Sequence, residues 1–230
     1  MKKALLITAF ALAALGCSST TPTADAPAEP AANTANTTAA NAAPESARSE
    51  NPVFTGGERP TDDVVSSTRK QLDVRQWSAR VESSTSPEMN MTIEFSAPKN
   101  YHFKRTDGEV MAVGGSSYVR KNGVWEKLEF DISDQLAEQT KLITEQVADE
   151  IQNVEKIGEE KLGGKNTIVY LYRDTVEETG EETTNKVWID KATGLPLRID
   201  FEGMVEGKAQ KISTFYDYDK AVVIEAPKIN

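Results

Sequence analysis

The sequence is poor in the residues that carry most metal and nucleophilic chemistry. It has one cysteine and one histidine in 230 residues. One Cys makes no internal disulfide and no thiolate metal cluster, and one His makes no multi-histidine zinc site. Basic residues are in deficit, 26 against 36 acidic for a net charge of −10, whereas nucleic-acid binders carry a basic patch. No apolar run reaches the about 20 residues of a membrane-spanning helix. Aromatic residues are missing from positions 11–53. No Gly-x-Ser-x-Gly elbow and no phosphate-binding loop occurs, so Gly114-Gly115 and Gly163-Gly164 are read as turns.

What is present begins with an address. Lys2 and Lys3 precede an apolar run from Ala4 to Leu15, which ends in Ala14-Leu15-Gly16-Cys17. A positive start, a short apolar stretch and small residues before a cleavage point describe a secretory signal. The last four residues resemble the lipobox of bacterial lipoproteins. That resemblance implies removal of residues 1–16 and a diacylglyceryl group on the Cys17 thiol. Two or more buried chains hold stably to a membrane where one does not. Ser18, rather than Asp, follows the Cys. By the family's sorting rule this implies a lipid-anchored cell-envelope protein, on the outer membrane facing the periplasm if the host has one.

Residues 17–60 read as the lipidated Cys and a tether. Eleven Ala fall between Ala24 and Ala47, and six of the ten prolines lie between Pro22 and Pro60. Such a segment buries too little apolar surface to offset chain entropy and is expected to be disordered.

Residues 61–230 read as one domain holding all three Trp and all six Tyr. Asp62 and Asp63 start a short helix over 62–73. Trp77, Ala79 and Val81 alternate with polar residues, as do Met89, Met91, Ile93, Phe95 and Ala97. That period of two marks strands with one dry face. Strands follow at Tyr101–Phe103, 110–113 and 117–120, and Asn122-Gly123 is a hairpin turn leading to Val124-Trp125. Leu136, Ile143, Val147, Ile151 and Val154 keep helical spacing, with a break expected near Thr144. Strands resume at 168–172, 187–189, 195–201 and 212–218, and Val222–Ile224 is expected to close the set. The fold class is α+β: one long antiparallel sheet of about ten strands, which must curl, forming a half-open β-barrel with helices over its concave face.

Three stretches resemble the LolA/LolB-like fold, which includes periplasmic lipoprotein carriers and the LppX/LprG-type lipid-binding lipoproteins. They are Gly115–Trp125, Val187–Leu197 and Tyr216–Pro227. The resemblance covers about residues 61–229 and implies an acyl chain, lipid or lipoprotein held between sheet and helices, without catalysis and without a cofactor. The candidate ligand-binding residues are Trp77, Val81, Met91, Ile93, Phe95, Tyr101, Leu197, Ile199 and Phe201. The alternative is a sensor or interaction module with a filled core and an envelope protein as partner.

The remaining polar features read as structure. His102 alternates with Tyr101 and Phe103 and is expected to face solvent. The acidic stretch 177–182 lacks calcium-ligand spacing and reads as a hairpin tip. Asp217 and Asp219 are two carboxylates without a further catalytic signal. The anchor has a direct check: Cys17→Ser is expected to move the protein from the membrane to the soluble fraction, and continued membrane retention counts against lipidation.

Overall fold

A computed structural model describes residues 54, 56–175, 181–205 and 207–229. The signal, Cys17 and nearly all of the tether lie outside the described residues, as do 177–180 of the acidic stretch.

Helix α1 spans Pro60–Lys70 and runs into a 3-10 turn at Gln71–Asp73. Six strands follow as a meander: β1 Gln76–Ser83, β2 Met91–Ser96, β3 Asn100–Arg105, β4 Gly108–Val113, β5 Ser116–Lys121 and β6 Val124–Lys127. Helix α2 spans Ser133–Glu150. A second meander completes the fold: β7 Glu155–Leu162, β8 Lys165–Thr175, β9 Glu182–Asp190, β10 Pro196–Val205 and β11 Lys208–Asp217.

All eleven strands form one antiparallel sheet in the order β6-β5-β4-β3-β2-β1-β11-β10-β9-β8-β7. The first and last strands pair at its centre, Ala79 opposite Tyr216 and Val81 opposite Thr214. The two meanders therefore run outward in opposite directions, and β6 and β7 become the far edges. Laid flat, ten strand spacings would span about 48 Å. Helix α2 is only about 27 Å long, yet the chain must pass from one edge to the other. Curvature of the sheet brings the edges closer, and α2 crosses the concave side.

Register explains the dry face. Trp77, Phe95 and Tyr101 are cross-strand neighbours, as are Ala79, Ile93 and Phe103. They pack with Met91 and Ala112 into one buried cluster, which Ile132 and Leu136 cover from the start of α2. A second cluster joins Ile168, Tyr170, Tyr172, Val187 and Ile189 of β8 and β9 to Val64 of α1 and to Ile151 and Val154 beyond α2. The helices are clasped together where Arg69 donates to Glu145 (2.9 Å) and Asp149 (2.7 Å). Asp63 fixes the start of α1: its carboxylate accepts the Gly57 amide (2.8 and 2.7 Å) and the buried Tyr170 hydroxyl (2.7 Å). Burial, then the hydrogen bond to Asp63, pushes the Tyr170 phenol far above its usual range. Folded contacts reach back to Phe54, whose amide donates to the Lys191 carbonyl at 2.6 Å.

Several expectations are corrected. In place of Val222–Ile224, the eleven strands of the described residues include β7, which alternation did not mark. Its sequence EKIGEEKL is exposed along most of its length and bulges at Lys156/Gly158, so an edge strand with no dry face left no alternation to read. Val222–Ile224 is not a strand; β1 already occupies the free side of β11. Helix α2 runs unbroken past Thr144. The Asn122-Gly123 turn is present, with φ of 54° and 82°, the left-handed pair that a two-residue hairpin requires.

The outer face is not uniformly wet. Trp188 points outward yet is only 3% exposed. Lys186 (4.4 Å) and Arg198 (4.7 Å) sit over its ring, and Glu160 accepts its indole N–H. Arg198 is also 5.0 Å from the Phe215 ring, which Arg80 approaches to 4.8 Å. Ile168 sits in the opposite, inner core with no exposure. Ile168→Ala is expected to cost about 2–5 kcal/mol, read from the urea unfolding midpoint; a smaller loss would mean that the α1 cluster collapses around the gap.

Candidate functional site

The helices do not fill the trough. Between them and the sheet lies a cavity of about 660 Å³. Helix α2 crosses a curved sheet as a chord crosses an arc, and α1 covers only the β8–β9 side. The sheet residues that line it are Trp77, Ala79 and Val81 of β1, Ile93 and Phe95 of β2, Tyr101 of β3, Tyr172 of β8, Val187 of β9, Ile199 of β10, and Thr214 and Tyr216 of β11. Helix residues Leu72, Ala137, Ile143 and Val147 form the roof.

The floor is aromatic and connected. The Trp77 and Phe95 rings are 5.7 Å apart, Phe95 and Tyr101 5.1 Å, and Trp77 and Tyr216 6.0 Å. The Tyr101 hydroxyl faces Thr140 of α2, and the Tyr216 hydroxyl faces Gln71 of the 3-10 turn, which also reaches the neighbouring Tyr218. Gln71 donates to the Tyr218 hydroxyl at 2.8 Å, and Tyr218 donates to the Pro196 carbonyl at 3.0 Å. Burial raises the Tyr101 phenol above its ordinary value, with Thr140 beside it opposing the rise. Burial likewise raises Tyr216 and Tyr218, so all three stay neutral at physiological pH.

Six of the nine candidate residues line this cavity: Trp77, Val81, Ile93, Phe95, Tyr101 and Ile199. Three do not. Met91 is buried in the β1–β4 cluster and lines a separate hollow of about 90 Å³ with Phe103 and Val110. Phe201 packs with Ile212, Val81 and Met89. That end of the trough is tied shut by Gln210, which donates to Ser86 (2.7 Å) and accepts from Ser83 (3.2 Å). Leu197 is buried outside the cavity, beside the register shift between Pro196 and Arg198. Alternation identifies a face, but it does not say how far along a strand the gap extends. Ile143 and Val147 of the roof were expected on a helix face but not at a cavity. Their spacing matches that of filled core, and only the curvature of the sheet separates the two.

The polar features have structural partners. His102 is only 12% exposed in its side chain, with Glu109 at 2.8 Å and Glu94 at 3.7 Å. Trp125 lies beside it at 6.1 Å, so the expectation of a solvent-facing histidine is corrected: β6 and its Trp cover this strip. Asp217 accepts the amides of Asp219 and Lys220, both at 3.0 Å, and Asp219 pairs with Lys165 at 2.6 Å. Among the described residues no group of three or more His, Cys, Asp or Glu is placed to hold a metal ion. Among them, too, no helix is long and apolar enough to cross a membrane.

An open eleven-stranded half-barrel roofed by two helices is a fold shared with solved bacterial lipoproteins. The crystal structure of the lipoprotein LppX from Mycobacterium tuberculosis is similar with a TM-score of 0.53 at 12% identity, over 72% of this chain and 97% of that one. LprF from Mycobacterium bovis is similar with a TM-score of 0.51 at 11% identity, over 72% of this chain and 96% of LprF. At such identities the likeness is one of fold. No protein-family model and no curated protein sequence matches the chain.

The His102 pair yields a pH dependence. Burial lowers the imidazole below 6.5 and outweighs the opposing hydrogen bond that it donates to Glu109. For Glu94 burial is the largest influence and raises its pKa, but Lys104 and Lys220 hold the carboxyl below 4.5 all the same. A histidine depressed in the folded state takes its proton first in the unfolded chain. Stability is therefore expected to fall as pH drops from above 6.5 towards the folded midpoint. His102→Gln should flatten that part of the urea-midpoint curve, and an unchanged slope would remove His102 as its source.

Proposed function

We propose that the protein is a membrane-anchored envelope lipoprotein that holds an acyl chain in the half-barrel cavity and performs no covalent chemistry. The observation that carries this reading is the cavity of about 660 Å³ with its connected aromatic and aliphatic floor. That volume lies within the about 300–1,000 Å³ of small-molecule sites. The driving force is desolvation of the chain, about 0.8 kcal/mol for each methylene moved out of water. The lipoprotein fold shared with LppX supports the reading, as does the lipobox resemblance at Cys17. The unfilled trough favours a held ligand over the interaction module with a filled core.

The membrane is the partner at one end, through the lipid on Cys17, and an acyl lipid or lipoprotein is the partner at the other. The net charge of −10 weighs against an anionic polymer as partner. Protein purified without harsh detergent is expected to carry lipid, detectable by native mass spectrometry. Thr144→Trp, which places an indole from α2 into the cavity, should lower the lipid-bound fraction and leave the circular dichroism spectrum intact. A folded protein that carries no lipid and takes none up would overturn the reading.

A further inference from the structure

The cavity's size and its opening define the ligand more closely, granted the acyl-binding reading above. A methylene occupies about 30 Å³, close to a water molecule's share of its liquid, so the space takes about twenty such groups. One chain of ordinary length fits. A two-chain lipid brings about thirty chain carbons or more, and the excess would have to stay in water or force the helices apart.

The opening is marked by those lining residues that are also exposed: Arg69, Asp73, Pro98 and Lys141. Arg69 is committed to Glu145 and Asp149. The two remaining charges, Asp73 and Lys141, have no hydrogen bond or ion pair from their side chains among the described residues. Asp73 comes from the 3-10 turn after α1 and Lys141 from the middle of α2. One unpaired anion and one unpaired cation thus sit at the mouth of an otherwise apolar space. A bare carboxylate head would gain from Lys141 and lose at Asp73, whereas a head carrying both signs finds a partner for each.

We propose that the site is matched to a single-chain zwitterionic lipid, the chemistry of a lysophospholipid, with its chain on the Trp77–Phe95–Tyr101 floor and its head between Asp73 and Lys141. The phosphate would face the Lys141 ammonium and the head-group ammonium the Asp73 carboxylate.

The test uses the full chain carrying Cys17→Ser, which keeps the protein's own acyl groups out of the cavity. Its binding of palmitoyl lysophosphatidylethanolamine, palmitate and dipalmitoyl phosphatidylethanolamine is compared by native mass spectrometry and calorimetry. One lysophospholipid per chain is expected, with the two-chain lipid weaker by about tenfold or more, the scale of overfilling a packed space. Palmitate should also bind more weakly than the lysophospholipid. Lys141→Glu and Asp73→Lys, both at exposed positions, should each weaken lysophospholipid binding by about fivefold, the scale of one exposed charge contact. For palmitate the two variants should act in opposite directions, Lys141→Glu weakening it and Asp73→Lys strengthening it. Equal affinity for one-chain and two-chain lipids would overturn the size argument. Variants that bind the lysophospholipid like the parent would overturn the head-group assignment. Failure to bind any of the three would instead overturn the acyl-binding reading on which both rest.

Discussion

The pairing of β1 with β11 is the constraint from which the rest of the structure follows. Joining the two ends of the folded chain at the centre of the sheet sends β6 and β7 to opposite edges. The connection between them then has to cross the whole sheet, and α2 is that connection. A straight helix over a curved sheet leaves space beneath it. The cavity is thus a consequence of strand order rather than of any special residue. Had the two meanders paired in the other sense, edge to edge through β6 and β7, a short turn could have joined them and no helix would roof the trough.

The two faces of the sheet solve different problems. On the inside, cross-strand aromatic neighbours such as Trp77, Phe95 and Tyr101 build an apolar floor, with hydroxyls at Tyr101 and Tyr218 turned to helix or loop partners. On the outside, the protein covers apolar rings with its own long cationic side chains. Lys186 and Arg198 over Trp188, and Arg198 and Arg80 over Phe215, shield the rings without a second layer of structure. This arrangement lets an open sheet of eleven strands stand with helices on one side only.

Tether and cavity divide the work in the functional reading. In that reading a lipid on Cys17 would confine the domain to a membrane surface, where acyl lipids are concentrated, and the half-barrel would supply a dry place for a chain that has left the bilayer. Neither task needs a nucleophile, a metal or a second histidine. The sole histidine is held between Glu94 and Glu109 on the outer face, across the sheet from the cavity floor, since Tyr101 and Phe103 on either side of it point inward.

Sequence alone determined much of this protein. The strict alternation of Trp77-Ala79-Val81 and Ile93-Phe95, the Asn122-Gly123 turn and the helical spacing from Leu136 to Ile151 are local signals, set by the period of a strand or helix, and they led to the right class of fold. They also led to six of the residues that line the cavity. Local periodicity fails where an element has no dry face, as in β7, and where apolar residues lie in irregular chain, as in Val222–Ile224. It fails again for Met91 and Phe201, which have the right face and the wrong position along it, and for Leu197, which lies at the register shift of β10. Only the tertiary structure decided where packing ends and empty space begins, because that depends on the curvature of the sheet and the path of α2. Both are set by pairings between residues more than a hundred positions apart, such as Ala79 with Tyr216, and no window along the chain contains them.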